Sequence, residues 1–242
     1  MTTKTLCILA NSVKRGESCI AGLEIAQRPD QFWQNTGRWI RPVSHRDGGA
    51  ISGSESYLHP PGKTPELFDI VTIPLQQPAS VQGQPEDWWI EPSAAWQYHG
   101  KFDPQESVPD FLEDPKDLWC QPNQPQDRVT PDGWAGQRLP SLYLIEPERM
   151  ELYVHLQDYG SGPQRRSRAR FRYRGVDHDW SMTDPVASRN HLPDFSSRGI
   201  GPDHGVALPC LAVCVSLAPA WKADHASRPY HFKLVAGVIE KP

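Results

Sequence analysis

No apolar run in this chain approaches the roughly 18 residues that a membrane-crossing helix requires. The opening stretch, Met1 to Leu6, has no hydrophobic segment of signal length. The five cysteines (Cys7, Cys19, Cys120, Cys210 and Cys214) are odd in number and scattered, which excludes a disulfide framework and a clustered metal site. A soluble cytoplasmic protein in a reducing interior is expected, with no membrane partner. Also absent are a phosphate-binding loop, a glycine-rich dinucleotide turn and a Gly-x-Ser-x-Gly elbow. The expectation is no cofactor, no bound metal and no catalytic residue.

Positive charge is scarce except in one place. The chain carries −4 overall, yet Arg165–Arg174 contributes +6, leaving −10 for the rest. General cationic stickiness is thereby excluded, and a local anion-binding strip is the better description. From Arg166 onward arginine takes every second position. On a strand, Arg166, Arg168, Arg170, Arg172 and Arg174 would share one face, with Ser167, Ala169, Phe171 and Tyr173 on the other. Helical spacing would scatter the same arginines around the cylinder. A guanidinium fork suits phosphate, since it donates two hydrogen bonds and stays charged.

Proline, at 25 of 242 residues, is about twice its usual ~5% share. It is tolerated only at edges, turns and loops of sheets, so short strands with stiff connections are expected. Strand signals fall at Leu6–Ala10, Cys19–Ile25, Arg38–Val43, Phe68–Leu75 and Trp88–Ile90, with Asn11–Gly16 as a polar turn. They recur at Ser141–Ile145, Met150–Leu156, the arginine segment, Asp177–Thr183, Cys210–Leu217 and Phe232–Ile239. The reading is all-β: two small Greek-key barrels packed as one unit, with long proline-rich loops and one or two short helices. The first barrel is expected over 1–110 and the second over 141–242. Between them 111–140 is a connecting segment, with a short helix within Pro109–Trp119.

Several side chains invite a functional reading. Lys14 and Arg15 lie in the polar turn and could meet a phosphate; the alternative is an ordinary hairpin. Trp39 and Arg41 alternate, so they share a face and could stack a base and hold its phosphate, unless Trp39 is core. Trp88, Trp89 and Trp96 pose the same choice. Asp177 and Asp179, with His178 between them and Asp184 nearby, could hold a hard cation; equally they could pair across the hairpin with Arg172 and Arg174. That pairing would leave a smaller strip centred on Arg166, Arg168 and Arg170. Neither His191 nor Asp203 and His204 has zinc-site spacing. Cys210 and Cys214 would stand about 13 Å apart on a strand, as core residues.

Segments spread over nearly the whole chain resemble the dual OB-containing domain, a bacterial family with two OB-type barrels. They are Ala10–Gly22, Gly37–Ser44, Leu67–Pro74, Gln84–Trp88, Phe171–Gly175, Met182–Pro185 and Phe232–Ala236. Asp87, after Glu86, stands where that pattern leads one to expect asparagine. The resemblance implies nucleic-acid binding within a defence or conflict system. The expected function is therefore a non-catalytic module for single-stranded or structured nucleic acid. Alternatives are an adaptor for a protein partner and, more weakly, a metal-dependent hydrolase built on Asp177, Asp179 and Asp184.

Overall fold

All five apolar side chains of Leu6–Ala10 are buried, so the strand that carries them is covered on both faces. The computed structural model describes residues 1–242 apart from 15, 47, 61, 80–82, 121–125, 135–139, 159–162, 193–204, 223–225 and 242. That first strand, β1 (Thr2–Lys14), pairs with β2 (Glu17–Gln27) up to Lys14 opposite Glu17, and Gly16 has φ +84°. The expected turn over Asn11–Gly16 is therefore shorter. Asn11 and Ser12 are strand residues opposite Ile20 and Cys19, and Asn11 Nδ2 donates to the Pro65 carbonyl at 2.7 Å.

The first sheet continues with β3 (Trp33–Val43), β4 (Leu58–His59), β5 (Asp69–Pro78), β6 (Asp87–Ile90) and β7 (Trp96–Lys101). Its strands run β1-β2-β3-β6-β5, and β5 pairs back onto β1 with Leu6 opposite Val71, closing a five-stranded ring. Within the ring β3 and β6 are parallel, Arg41 opposite Asp87. Closure leaves the ring without a free edge. Leu6, Ile8, Ile20, Ile40, Val71 and Trp96 are among the side chains of its core. A Cβ on Gly22 would stand 2.2 Å from the Cys7 carbonyl oxygen, so only glycine lets β2 approach β1 there.

Helix α1 spans Pro104–Phe111, earlier than the Pro109–Trp119 expectation. Asp103 caps it, its carboxylate accepting from the Gln105 and Glu106 amides at 2.8 and 3.4 Å, and Pro104 opens it. The stretch 111–140, read as merely connecting, gives Leu118, Trp119 and Val129 to the second core.

The second sheet is built from β8 (Arg128–Val129), β9 (Leu142–Ile145), β10 (Arg149–Asp158), β11 (Pro163–Tyr173), β12 (Val176–Met182), β13 (Gly205–Ala207), β14 (Cys210–Leu217) and β15 (His231–Glu240). Short helices α2 (Pro131–Trp134) and α3 (Pro185–His191) complete the elements. The order is β13-β10-β11-β12-β15-β14-β9, with β8 on β15. Its central strands β10-β11-β12-β15-β14 repeat the order of the first ring. They include the same parallel step, here β12 to β15 with Met182 opposite Val235. The core gathers Leu152, Ala169, Phe171, Trp180, Val213 and Val235. By contacts the chain divides into two compact units, Met1–Leu112 with Arg138–Leu142, and Glu113–Gln137 with Tyr143–Pro242.

Candidate nucleic-acid interface

The period-2 reading of the arginine segment holds for β11. Ala169, Phe171 and Tyr173 are buried, and Arg168, Arg170 and Arg172 lie on the other face. The register then brings acids into the row. Arg170 stands between Glu151 of β10 and Asp179 of β12, and Arg172 between Arg149 and Asp177.

Arg168 is the most engaged of the five. Its Nε donates to Asp179 Oδ1 at 2.8 Å and to the Tyr153 hydroxyl at 2.9 Å, and its Nη2 to the Asp179 carbonyl at 2.7 Å. Arg170 reaches Asp179 at 3.4 Å and lies over the Tyr153 ring, 4.0 Å from its centroid. Burial pushes the Asp179 carboxyl up, but hydrogen bonds from Tyr153 and Arg168 outweigh it and hold the pKa below the usual range. Arg172 meets Glu148 at 3.2 Å and Asp177 at 3.4 Å. Asp177 also takes Arg149 at 2.8 Å.

Arg174 has left the row. With Gly175 it forms the hairpin turn, both at positive φ (+48° and +74°), as a two-residue loop between twisted strands demands. Its guanidinium binds Asp114, and the hydrogen bonds from Arg174 and Tyr173 hold that carboxyl low. Arg166 is exposed and donates to Gln164 Oε1 at 2.8 Å. The acids thus reach Arg168 and Arg170, two of the three arginines that the sequence left open.

In the first unit, Trp39 and Arg41 are buried, at 6% and 9% exposure. Arg41 Nε donates to Asp87 Oδ1 at 2.6 Å and its Nη2 to Ser141 Oγ at 2.7 Å. Glu86 in turn accepts from the Ser141 amide at 2.6 Å and hydroxyl at 2.9 Å. Burial lowers the Arg41 pKa, yet Asp87 and Glu86 raise it further, so the guanidinium stays charged. Burial dominates at Glu86 and lifts its carboxyl. The glutamate and aspartate before Trp88 therefore act together, as the two acids around one buried arginine. Arg15 and the Lys14 side chain lie outside the described residues.

Trp88 packs against the first core under Lys4, 4.6 Å from its ring, and Trp89 stacks on His45 at 4.4 Å. Trp96 is core. Asp184 caps α3 through the Val186 and Ala187 amides and accepts from Val238 N. With Asp177 and Asp179 turned to arginines, these three acids are occupied otherwise than the hydrolase alternative needs. Among the described residues no group of three or more His, Cys, Asp or Glu could hold a metal ion. Asp203 and His204 lie outside those residues.

A cluster that the sequence reading missed lies in the second unit. Trp221 and Tyr230 bond backbone to backbone both ways at 2.9 Å, pinching the connection from β14 to β15. Trp221 is 56% exposed, and its ring lies 6.0 Å from Phe232, which is 6.5 Å from Tyr230. Arg128 stands 5.5 Å from the Tyr230 ring and 5.1 Å from Phe232, because β8 pairs Arg128 directly opposite Phe232. Arg228 covers Tyr230 at 5.4 Å and donates to its hydroxyl at 3.2 Å. Arg128 is also held by the Asp127 carboxylate at 2.8 and 3.0 Å, so the three rings offer flat surfaces with the exposed Arg228 as their cationic edge.

No helix among the described residues is long and apolar enough to cross a membrane. No curated protein matches the chain. A family model does, over residues 4–238, and its description agrees with the repeated strand order β1-β2-β3-β6-β5 and β10-β11-β12-β15-β14. OB barrels are a fold that binds oligonucleotides and oligosaccharides. With two such strand orders and a match over nearly its whole length, the chain belongs to the dual OB-containing domain family.

Proposed function

We propose that the protein binds single-stranded nucleic acid through its second unit, with Trp221, Tyr230 and Phe232 stacking bases and arginines contacting phosphate. The observation that carries this reading is the cluster of three rings with Arg128 and Arg228 at the β14–β15 connection. Base–aromatic stacking contributes about 1–3 kcal/mol per base and tolerates any sequence. A duplex hides its base faces, so the cluster favours unpaired strands.

The arginine row adds charge. Arg170 and Arg172 of the row, and Arg174 at the hairpin turn beyond it, are 47%, 39% and 45% exposed at the side chain. Exposed ion pairs are worth about 0–1 kcal/mol, so a phosphate can replace their carboxylates at small cost. Arg166 and Arg168 extend the row, and Lys14 and Arg15 remain assigned to phosphate contact from the first unit. Trp39 and Arg41, both buried, have no part in this reading.

The test is a binding panel of single-stranded, duplex and hybrid oligonucleotides at two salt concentrations. Single strands should bind tightest, with affinity falling as salt rises. Equal affinity for duplex and single strand, unaltered by Trp221→Ala, would overturn the stacking role. Salt-insensitive association with a protein and no retention of nucleic acid would establish the adaptor instead.

A further inference from the structure

Between the start of β3 and α1 the first unit has a cleft of about 330 Å³, within the range of small-ligand sites. Trp33, Phe102 and Phe111 give it an aromatic lining, the two phenylalanines edge to face at 5.6 Å. Arg28 and Asp110 bring one charge of each sign. A ligand that uses all of these is a flat heterocycle with donors on one edge and an anionic group.

The lining is held in place. Asn35 Nδ2 donates to the Asp110 carbonyl at 3.0 Å while its Oδ1 accepts from Gly37 N at 2.8 Å, tying α1 to β3. A tight turn fixes Arg28: its amide donates to the Phe32 carbonyl at 2.8 Å, and its carbonyl accepts from Gln31 N at 2.9 Å. The guanidinium has a long, exposed pair with Asp30 at 3.7 Å, which a phosphate can displace. Among the described residues nothing donates a hydrogen bond to the Asp110 carboxylate, an exposed acid on the cleft.

We propose that this cleft binds a guanine nucleotide. The base stacks on Trp33, its N1–H and N2–H donate to the Asp110 carboxylate, and its phosphate meets Arg28. Adenine presents an acceptor at N1, which a carboxylate repels, so the acid selects guanine. Unpaired bases are commonly read in this way, by aromatic stacking together with their Watson–Crick edge. The site is independent of the strand-binding cluster, which uses none of these residues.

Calorimetric titration of the full chain with GMP, guanosine, AMP and ribose 5-phosphate decides it. GMP should bind about tenfold or more tightly than AMP, the discrimination of one bidentate pair. Asp110→Asn should remove that preference, and Arg28→Ala should bring GMP down to guanosine. Trp33→Ala should weaken GMP about tenfold or more, the loss of one stacked base. If Trp33→Ala fails to fold, the exposed Arg28 and Asp110 variants still decide the matter. Equal binding of AMP and GMP, or of ribose 5-phosphate and GMP, overturns the proposal. A short oligonucleotide with one guanine separates the two sources of this ligand. Competition with GMP for the same residues assigns a base within a strand, and its absence beside GMP binding assigns the free nucleotide. Trp221→Ala should leave the GMP titration unchanged, so the two sites can fail separately.

Discussion

The Tyr153 hydroxyl donates to both carboxylate oxygens of Asp179, at 2.8 and 2.7 Å. That bond aims the acid into the arginine row, where Arg168 and Arg170 both reach it. Asp179 therefore sets how much of the row's charge a phosphate can use. Asp179→Asn should raise single-strand affinity several-fold at low salt. It should also steepen the salt dependence by about 0.7 for each phosphate gained. Fluorescence anisotropy across a salt series reads both, and an unchanged slope would remove Arg168 and Arg170 from the interface.

Arg166, Arg170 and Arg172 all carry exposed guanidiniums on the outer face of β11. Changing the three to serine should reduce the log–log salt slope by about 2 while the thermal midpoint stays nearly constant. Trp221→Ala should do the opposite. It should cost strand affinity by about 1–3 kcal/mol with little change in slope, because stacking releases no counterions.

Arg41 lies between two buried acids, so its removal leaves Asp87 and Glu86 without their cation. Arg41→Met should destabilise the first barrel by about 3–5 kcal/mol in urea unfolding. Strand binding by the second unit should survive in dilute urea below the transition. A loss under 1 kcal/mol would mean that the cluster is dispensable.

His178 is buried against Phe171 and Trp180, and burial, followed by the charge of Lys233, brings its pKa down from 6.5 to about 4. The folded state therefore takes up this proton later than the unfolded chain does. Stability from this group is complete above pH 6.5 and is lost as the pH falls from there to about 4. The loss should be roughly 1–3 kcal/mol. His178→Phe should flatten that part of the profile, measured as urea midpoints at pH 7 and pH 5.

Gly22→Ala would force a Cβ against the Cys7 carbonyl. The overpacking should cost about 1–3 kcal/mol or prevent folding of the first barrel. A thermal midpoint equal to that of the parent would show that β1 and β2 can move apart there.

Alternation and apolar runs carried much of the fold. β11, β14 and β15 read directly from the sequence because each strand's pattern is set by its own neighbours in the sheet. α1 was misplaced although Asp103 and Pro104 spell a helix start, and the same Asp-Pro pair opens α3 at Asp184. β7 was missed because Trp96 and Tyr98 make too short a period-2 signal to stand out. The interface was harder. Arg128 and Phe232 are more than a hundred residues apart, and only the β8–β15 pairing joins them. Likewise the pairing of Arg41 with Glu86 and Asp87 depends on the parallel step from β3 to β6, a register that no local pattern encodes.

The route of the chain between its two units carries a consequence for inheritance. Residues 113–137 belong with the second unit, but 138–142 return to the first, bringing the Ser141 hydroxyl that Arg41 and Glu86 share. A cut after Leu112 robs the first barrel of that serine. A cut after Leu142 parts the second from Leu118, Trp119 and Val129 of its own core. A single crossover at either point therefore passes on one unit whole and leaves the other incomplete.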